Sequence, residues 1–466
     1  MDFFNLSGKL RRMSEEKLHV ERSRNEPRKA NSVRHTRAIQ RDRSKHSITM
    51  PSDEQIQERL TEIVHPATLA QVDYFRKLGL RERTLGLIVM VAFVSDMIWR
   101  QISGVSEMVR LIQTETVLWV SPRKVSQQAF SQRLTSMPAQ LFLNILLSVL
   151  PLMQQRWLER QRPLPPEIAW AQERYSAVQA VDGSTLDALV RKIGLLKDLP
   201  QNPLAGKITA LLNLGSRLPS QIWYESDPKA HDQRFWPQIL AALKANSLLI
   251  FDMGYINFEV FAQLTLAHVK FITRAKSNLV YVFERALLNT TRVRDSLVWI
   301  GSEDNRQLVR LIEVLYGGKW YRYLSNELDT ERLPTAYLVA LYWQRWRIED
   351  AYSIVKRWLG LAYFWCGAQN AVEMQVWATW LLYVVLVDLT DAVADALNQP
   401  FAVISIEMVY RSLYFFTQAH ARGQAEDVVT YLAANAKLLG IVKRKRKAAH
   451  PSPLKLIPIL TEANLP

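Results

Sequence analysis

Cysteine is nearly absent: Cys366 is the single one in 466 residues. That excludes an intrachain disulfide framework and a cysteine-based zinc cluster, and a reducing compartment is the simple expectation. Long apolar runs are lacking too. The longest, 85–94 and 376–387, stop at Asp96 and Asp388. Both fall short of the roughly 20 residues that a bilayer-spanning helix takes, so they read as buried core helices. The first fifty residues hold no apolar stretch of the signal-peptide kind. No internal repeat is apparent. A cytoplasmic protein without a membrane partner is the resulting expectation.

What the chain does have is positive charge. It carries 59 Lys and Arg against 44 Asp and Glu, a formal net charge of +15, with 48% hydrophobic residues. A folded protein with a basic exterior points to a polyanionic partner, nucleic acid first and an anionic membrane surface second. The length suggests two to four domains.

Residues 1–50 contain thirteen Lys/Arg and six Asp/Glu with little apolar periodicity, the composition of a disordered basic arm. Over 51–174 apolar residues recur at three- and four-residue spacing, and helices are expected at 53–63, 71–78, 84–98 and 104–114. The stretches 105–112 and 126–134 look like two short helices around a turn. Ser126 is a candidate N-cap, and Gln127, Gln128, Gln132 and Arg133 would then face a DNA groove. A helical DNA-binding domain is therefore expected over 51–174.

At Tyr175 the texture changes. Strands are expected at 177–181, 207–214, 220–224, 247–251 and 269–274, with helices at 237–245 and 258–266. This is an α/β pattern with a mixed sheet, and it assigns 175–277 to the first part of a catalytic core. Four further strands at 279–283, 292–299, 308–316 and 319–325 make 278–333 a β-rich insertion. One long helix is expected from Pro334 to about Leu359, and apolar helices at 371–397 and 404–419. The second part of the core is placed at 334–400, and a helical C-terminal region at 401–466, with Lys443-Arg444-Lys445-Arg446-Lys447 as a basic run.

The long helix holds the densest chemistry. Tyr342, Arg345, Glu349 and Lys356 stand at offsets of three, seven and fourteen residues. At about 100° per residue they fall within an arc of roughly 60°. A carboxylate between cations, on a helix rich in tryptophan, suits a metal ion beside a phosphate better than a solvated face. Two more carboxylates complete a set: Asp182 at the end of the first expected strand and Asp252 at the end of the fourth, where sites gather in open α/β sheets. Three carboxylates can hold two divalent cations about 4 Å apart, the arrangement that serves phosphodiester cleavage. Mg²⁺ is the expected ion, with Mn²⁺ able to stand in.

The pattern Y-x2-R-x3-E-x6-K, with Arg345-Trp346-Arg347-Ile348-Glu349 at its centre, resembles the signature of the IS4 family of bacterial DDE transposases. The resemblance extends over about 175–400. It includes Val181-Asp182-Gly183-Ser184-Thr185, Asp252 followed by Phe271-Ile272-Thr273-Arg274-Ala275-Lys276, and the β-rich insertion before the Glu helix. It implies an RNase H-like fold with Asp182, Asp252 and Glu349 as the metal-binding catalytic triad. It further implies that Tyr342, Arg345 and Lys356 contact phosphates at a transposon end, and that a tryptophan of the insertion stacks on a flipped base. Trp320 is the best match for that tryptophan and Trp299 the next.

The expectation is a cut-and-paste transposase. It would bind double-stranded DNA at its element's inverted repeats, cleave the ends and join the 3′-hydroxyl to target DNA, with at least a homodimer in the synaptic complex. An inactive, domesticated DNA-binding relative and an RNase H-like structure-selective nuclease are the alternatives.

Overall fold

A central mixed sheet is flanked by helices on both faces, and a helical assembly is built from the described segments that precede and follow it. The computed structural model describes residues 54–102, 104–187, 204–302, 305–361 and 364–443. The expected basic arm and the basic run beyond Lys443 lie outside the described residues.

Among the described residues seven helices come first: α1 (Glu54–Leu69), α2 (Val72–Lys77), α3 (Leu87–Trp99), α4 (Val105–Thr114), α5 (Gln127–Ser136), α6 (Gln140–Glu159) and α7 (Pro166–Arg174). Ser126 caps α5 as its sequence position suggests, its Oγ accepting the Ala129 N–H at 3.1 Å. The exposed face of α5 includes Gln127, Gln128 and Gln132. Arg133 departs from expectation. Its Nε donates to the Leu85 carbonyl at 2.8 Å and its Nη2 to that of Arg81 at 3.1 Å, so it ties α5 to the preceding loop instead of facing outward.

The last helices are α12 (Gln369–Ala396), α13 (Ile406–Ala421) and α14 (Val428–Ala434). They share one apolar core with α1, α3 and α6, centred on α12. Arginines that follow α6 fasten it to α12: Arg160 reaches Asp388 at 2.6 Å and Asp391 at 2.9 Å, and Arg162 reaches Asp391 at 2.6 Å. The apolar run at 376–387 is thus part of a 28-residue helix. By length and composition alone α12 and α6 are long enough to cross a bilayer, against the sequence expectation. In α12 the protein's own helices enclose nearly all of that apolar surface.

The sheet has nine strands in the order β3-β2-β1-β4-β5-β9-β8-β7-β6. They are β1 (Val178–Asp187), β2 (Leu204–Asn213), β3 (Pro219–Glu225), β4 (Leu248–Phe251), β5 (Lys270–Arg274), β6 (Val282–Asn289), β7 (Val293–Ile300), β8 (Gln307–Tyr316) and β9 (Lys319–Ser325). The central strands β1, β4 and β5 run parallel, and β2, β3 and β9 run antiparallel to their neighbours. The four strands of 278–333 do not form a separate sheet: β9 hydrogen-bonds to β5 and carries β8, β7 and β6 outward as a continuous extension.

Side chains alternate between the faces of a strand. Val181, Leu249, Phe251 and Phe271 point toward the face covered by α8 (Trp236–Ala242) and α9 (Phe258–Leu266). Ala180, Leu248 and Ile250 point to the face covered by α7 and α10 (Thr335–Gln344). By the same alternation Asp182 and Asp252 fall on the α10 face.

The expected single helix over 334–359 is helical throughout but hitched twice. After α10 the chain tightens at Arg345, whose N–H bonds the Tyr342 carbonyl three residues back, and continues as α11 (Trp346–Ser353). A π-helical turn then covers Ile354–Trp358. Wider turns of this kind advance the chain less than 100° per residue, so Lys356 leaves the stripe that uniform helical spacing gives it.

Candidate active site

Three elements meet where the carboxyl end of β4 lies beside the middle of β1. Asp182 is not at the end of its strand as expected: β1 continues to Asp187, held by antiparallel pairing with β2, and Asp182 lies opposite Ala210. Asp252 immediately follows β4, where its carboxylate accepts the Met253 N–H at 2.7 Å. Parallel pairing of β1 with β4 sets Val181 beside Phe251, so the two aspartates are neighbours across the sheet.

The α10–α11 hitch brings the third group in. Arg345 is the hub: Nη1 donates to Asp182 Oδ2 at 3.1 Å and Nη2 to Glu349 Oε1 at 3.2 Å. Tyr342 donates its hydroxyl to Asp252 Oδ1 at 3.3 Å. The sequence-derived set Asp182, Asp252, Glu349, Tyr342 and Arg345 is therefore drawn into one cluster. Lys356 sits apart. Its ammonium donates to the Thr185 carbonyl at 2.6 Å, three residues further along β1, or about 10 Å at strand spacing.

Trp320 is not in the cluster either. Tyr323 on β9 packs its ring on Tyr342 at 5.2 Å, and Trp320, an odd number of residues away, projects to the opposite face of the strand. Its ring is 37% exposed and carries the Arg294 guanidinium at 4.6 Å. Trp299 donates its indole N–H to Glu284 at 2.9 Å and lies under Arg306 at 5.0 Å.

Electrostatics mark the cluster as unbalanced. Burial pushes the Asp182 carboxyl up to about 6, against the pull of Arg345 and of the Gly183 N–H, and Glu349 and Asp252 add to the upward push. Glu349 is raised as well, again by burial first. Burial works to lower Arg345, but the anionic groups around it outweigh burial and raise it. Burial holds the Tyr342 phenol far above its ordinary value, so it stays a donor. One guanidinium thus faces three carboxylates in a partly desolvated pocket, and its buried Nε has no hydrogen-bond partner among the described residues.

Two supporting groups were not evident from the sequence. Asp232 packs against the glycines that follow the two catalytic-candidate aspartates. A Cβ on Gly183 would lie 2.3 Å from Asp232 Oδ1 and 3.0 Å from Lys207 Cε, and one on Gly254 would lie 3.4 Å from Asp232 Oδ2. Lys207 pairs with Asp232 at 2.6 Å. The close approach explains why Asp182 is followed by glycine. The other group is Arg274, which ends β5 beside β4 and whose Nε is buried with no hydrogen-bond partner among the described residues. Its sequence signals were a cation ending an apolar strand and its place in the Phe271–Lys276 stretch of the resemblance, neither of which assigned it a role.

Hard carboxylate oxygens whose charge is poorly compensated suit a divalent cation, and the donor set fits one chemically. As arranged here, with Arg345 bridging two of them, the carboxylates do not form a ligand cage. Among the described residues no three His, Cys, Asp or Glu stand close enough to hold one ion.

The chain resembles known proteins over part of its length. Residues 205–385 match the family described as the transposase DDE domain. The chain is 28% identical over 156 residues to a putative transposase, y4zB, of Sinorhizobium fredii, covering 31% of this chain and 43% of that protein. It is 24% identical over 169 residues to a probable transposase for insertion sequence element IS5377 of Geobacillus stearothermophilus, covering 34% and 44%. The match therefore spans less than half the length of either relative. The strands and helices that present Asp252, Tyr342, Arg345 and Glu349 all lie within the stretch that matches a transposase DDE domain, and pairing with β2 adds Asp182 from just before it.

Proposed function

We propose that this protein is a cut-and-paste DNA transposase of IS4 type, built on an RNase H-like core. The observation that carries the reading is the meeting of Asp182, Asp252 and Glu349 around Arg345, where β4 ends beside the middle of its parallel neighbour β1. The transposase DDE match over the same elements supports it. Asp182, Asp252 and Glu349 are the residues that would hold divalent cations, Mg²⁺ in the first instance, once Arg345 gives up the two carboxylates it bridges. Bound there, such ions supply Lewis-acid stabilisation and a more acidic water.

The chain's own groups have separate tasks. Arg345 and Tyr342 offer donors to the non-bridging oxygens of the scissile phosphate, where charge grows as the attacking oxygen bonds to phosphorus and the bond to the 3′-oxygen breaks. Lys356, further along β1, holds a neighbouring phosphate of the same strand. Trp320 stacks on a base at the element end from the outer half of the sheet. The exposed glutamines of α5 read the inverted repeat. Two copies on two ends make the working assembly, in the bacterial cytoplasm and apart from membranes.

Incubating the purified chain with a pre-cut element end and target DNA in Mg²⁺ tests the reading. Joined product that vanishes in Asp182→Ala is expected. Hydrolysis without joining would favour a structure-selective nuclease, and end binding without either reaction a DNA-binding relative that has lost catalysis.

A further inference from the structure

Tyr352 lies one helical turn beyond Glu349 on α11, buried between the sheet and α12, where its ring meets Trp380 edge-on at 5.9 Å. Its hydroxyl makes two backbone bonds. It donates to the Asp182 carbonyl at 2.7 Å and accepts from the Ala210 N–H at 3.0 Å. Asp182 and Ala210 are register partners on β1 and β2. The Leu214 N–H bonds the Val178 carbonyl, and counting along the antiparallel alternation makes 182/210 one of the rungs whose N–H and C=O face each other. A helix side chain therefore bonds both strands at the rung of the sheet that presents the first candidate aspartate.

We propose that Tyr352 is a positioning residue that sets the separation between the Asp182 and Glu349 carboxylates. This rests on the reading of the site given above. The path is short and stiff: the Asp182 carbonyl, the Tyr352 hydroxyl, a buried aromatic ring with two rotatable bonds, and three helical residues to Glu349. Arg345 also joins Asp182 to Glu349, but through flexible carboxylates and a long side chain that phosphate would compete for. Tyr352 acts on backbone, where neither metal nor DNA would displace it. Its hydroxyl serves as both donor and acceptor. Phenylalanine fills the same space and removes only the oxygen, leaving the rung and the helix to find their own spacing.

The test compares wild type, Tyr352→Phe and Tyr383→Phe. Tyr383 is a matched control: it is also buried, and it donates to a backbone carbonyl, that of Arg217 at 2.9 Å, away from the carboxylates. Mn²⁺ binding is measured by titration calorimetry on the fraction that binds an element end, alongside the Mg²⁺ concentration that half-saturates end cleavage. The expected result is about tenfold weaker Mn²⁺ binding and a matching rise in half-saturating Mg²⁺ for Tyr352→Phe, with end binding unchanged and Tyr383→Phe like wild type. Wild-type metal affinity in Tyr352→Phe overturns the proposal, and so does an equal loss in both variants. A wild type that neither binds Mn²⁺ nor cleaves overturns the reading of the site itself. One measurement does not need the variant to fold: in wild type, Mn²⁺ should slow hydrogen exchange at the Ala210 amide at least threefold. Exchange indifferent to the ion would also sink the positioning role.

Discussion

Two buried arginines in this protein face carboxylates across the same layer of sheet and helix, and they differ in completeness. Arg310, on the outer half of the sheet, is wholly buried and fully engaged. It forms a fork with Asp295, donates to the Leu333 carbonyl at 2.7 Å and to the Glu327 carbonyl at 3.4 Å, and the Thr335 hydroxyl donates to Asp295 at 2.7 Å. Arg345 is almost as buried, yet it is shared between two carboxylates that are 19% and 40% exposed, a third lies close by, and its Nε lacks a partner among the described residues. A closed ion pair fixes the start of α10 to the sheet. An open one is a place where something else can bind.

Removing a site carboxylate tests the comparison most severely. Glu349→Gln should leave folding and end binding intact while lowering end cleavage by about 10³-fold or more, comparable to removing a central electrostatic group from an active site. Single-turnover cleavage of a labelled end measures it, and a variant with native rates would detach Glu349 from the chemistry.

Arg310→Met should show the opposite profile. It strands Asp295 in the interior and should cost about 3–5 kcal/mol of stability, read as a lowered midpoint in denaturant. Arg345→Gln should cost distinctly less, because Asp182, already pushed up to about 6 by burial, can take a proton instead of remaining a stranded anion. Equal stability losses in the two variants would erase the distinction between closed and open pairs.

Trp320→Ala is expected to weaken the complex with a pre-cut end by about 1–3 kcal/mol with little change in stability, measured by fluorescence anisotropy against blunt and pre-cut DNA. An equal loss on both DNAs would argue against base stacking at the end.

The smallest effect is the pH dependence of the metal-free fold. The folded pKa of Asp182, about 6, exceeds the usual 3.8. The native state then binds more protons than the unfolded chain between these values, and the group's contribution to stability falls as pH rises through that window. Asp182→Asn has no such loss. Its thermal midpoint relative to wild type should climb from pH 4 to pH 7, and a flat difference would remove the upward shift assigned to Asp182.

Legibility in the sequence followed how local the cause was. Phe258–Leu266 has the boundaries that its periodicity predicts, and β8 and β9 lie within a residue of expectation, because alternation and Gly317-Gly318 define them locally. The end of β1 was misjudged: Asp182-Gly183-Ser184-Thr185 reads as a turn, and only pairing with β2 keeps it extended. The Arg133 side chain was misassigned because the carbonyls it satisfies come from a loop fifty residues away. Lys356 left its stripe because a π turn, invisible to a uniform 3.6-residue count, intervenes. Asp232 and Tyr352 carried no motif at all; they matter through what lies against them.

The sequence by itself determined the chemical inventory: two aspartates at expected strand ends, a glutamate, a tyrosine and an arginine at spacings set by one helix, and a basic exterior suited to DNA. Those are matters of residue type and helical pitch. Only the tertiary structure decided which groups meet. Parallel pairing of β1 with β4 put Asp182 beside Asp252, alternation turned both toward α10, and the hitch at Arg345 aimed Glu349 at them. Contacts between residues seventy or more positions apart arise from packing, and no local pattern encodes them.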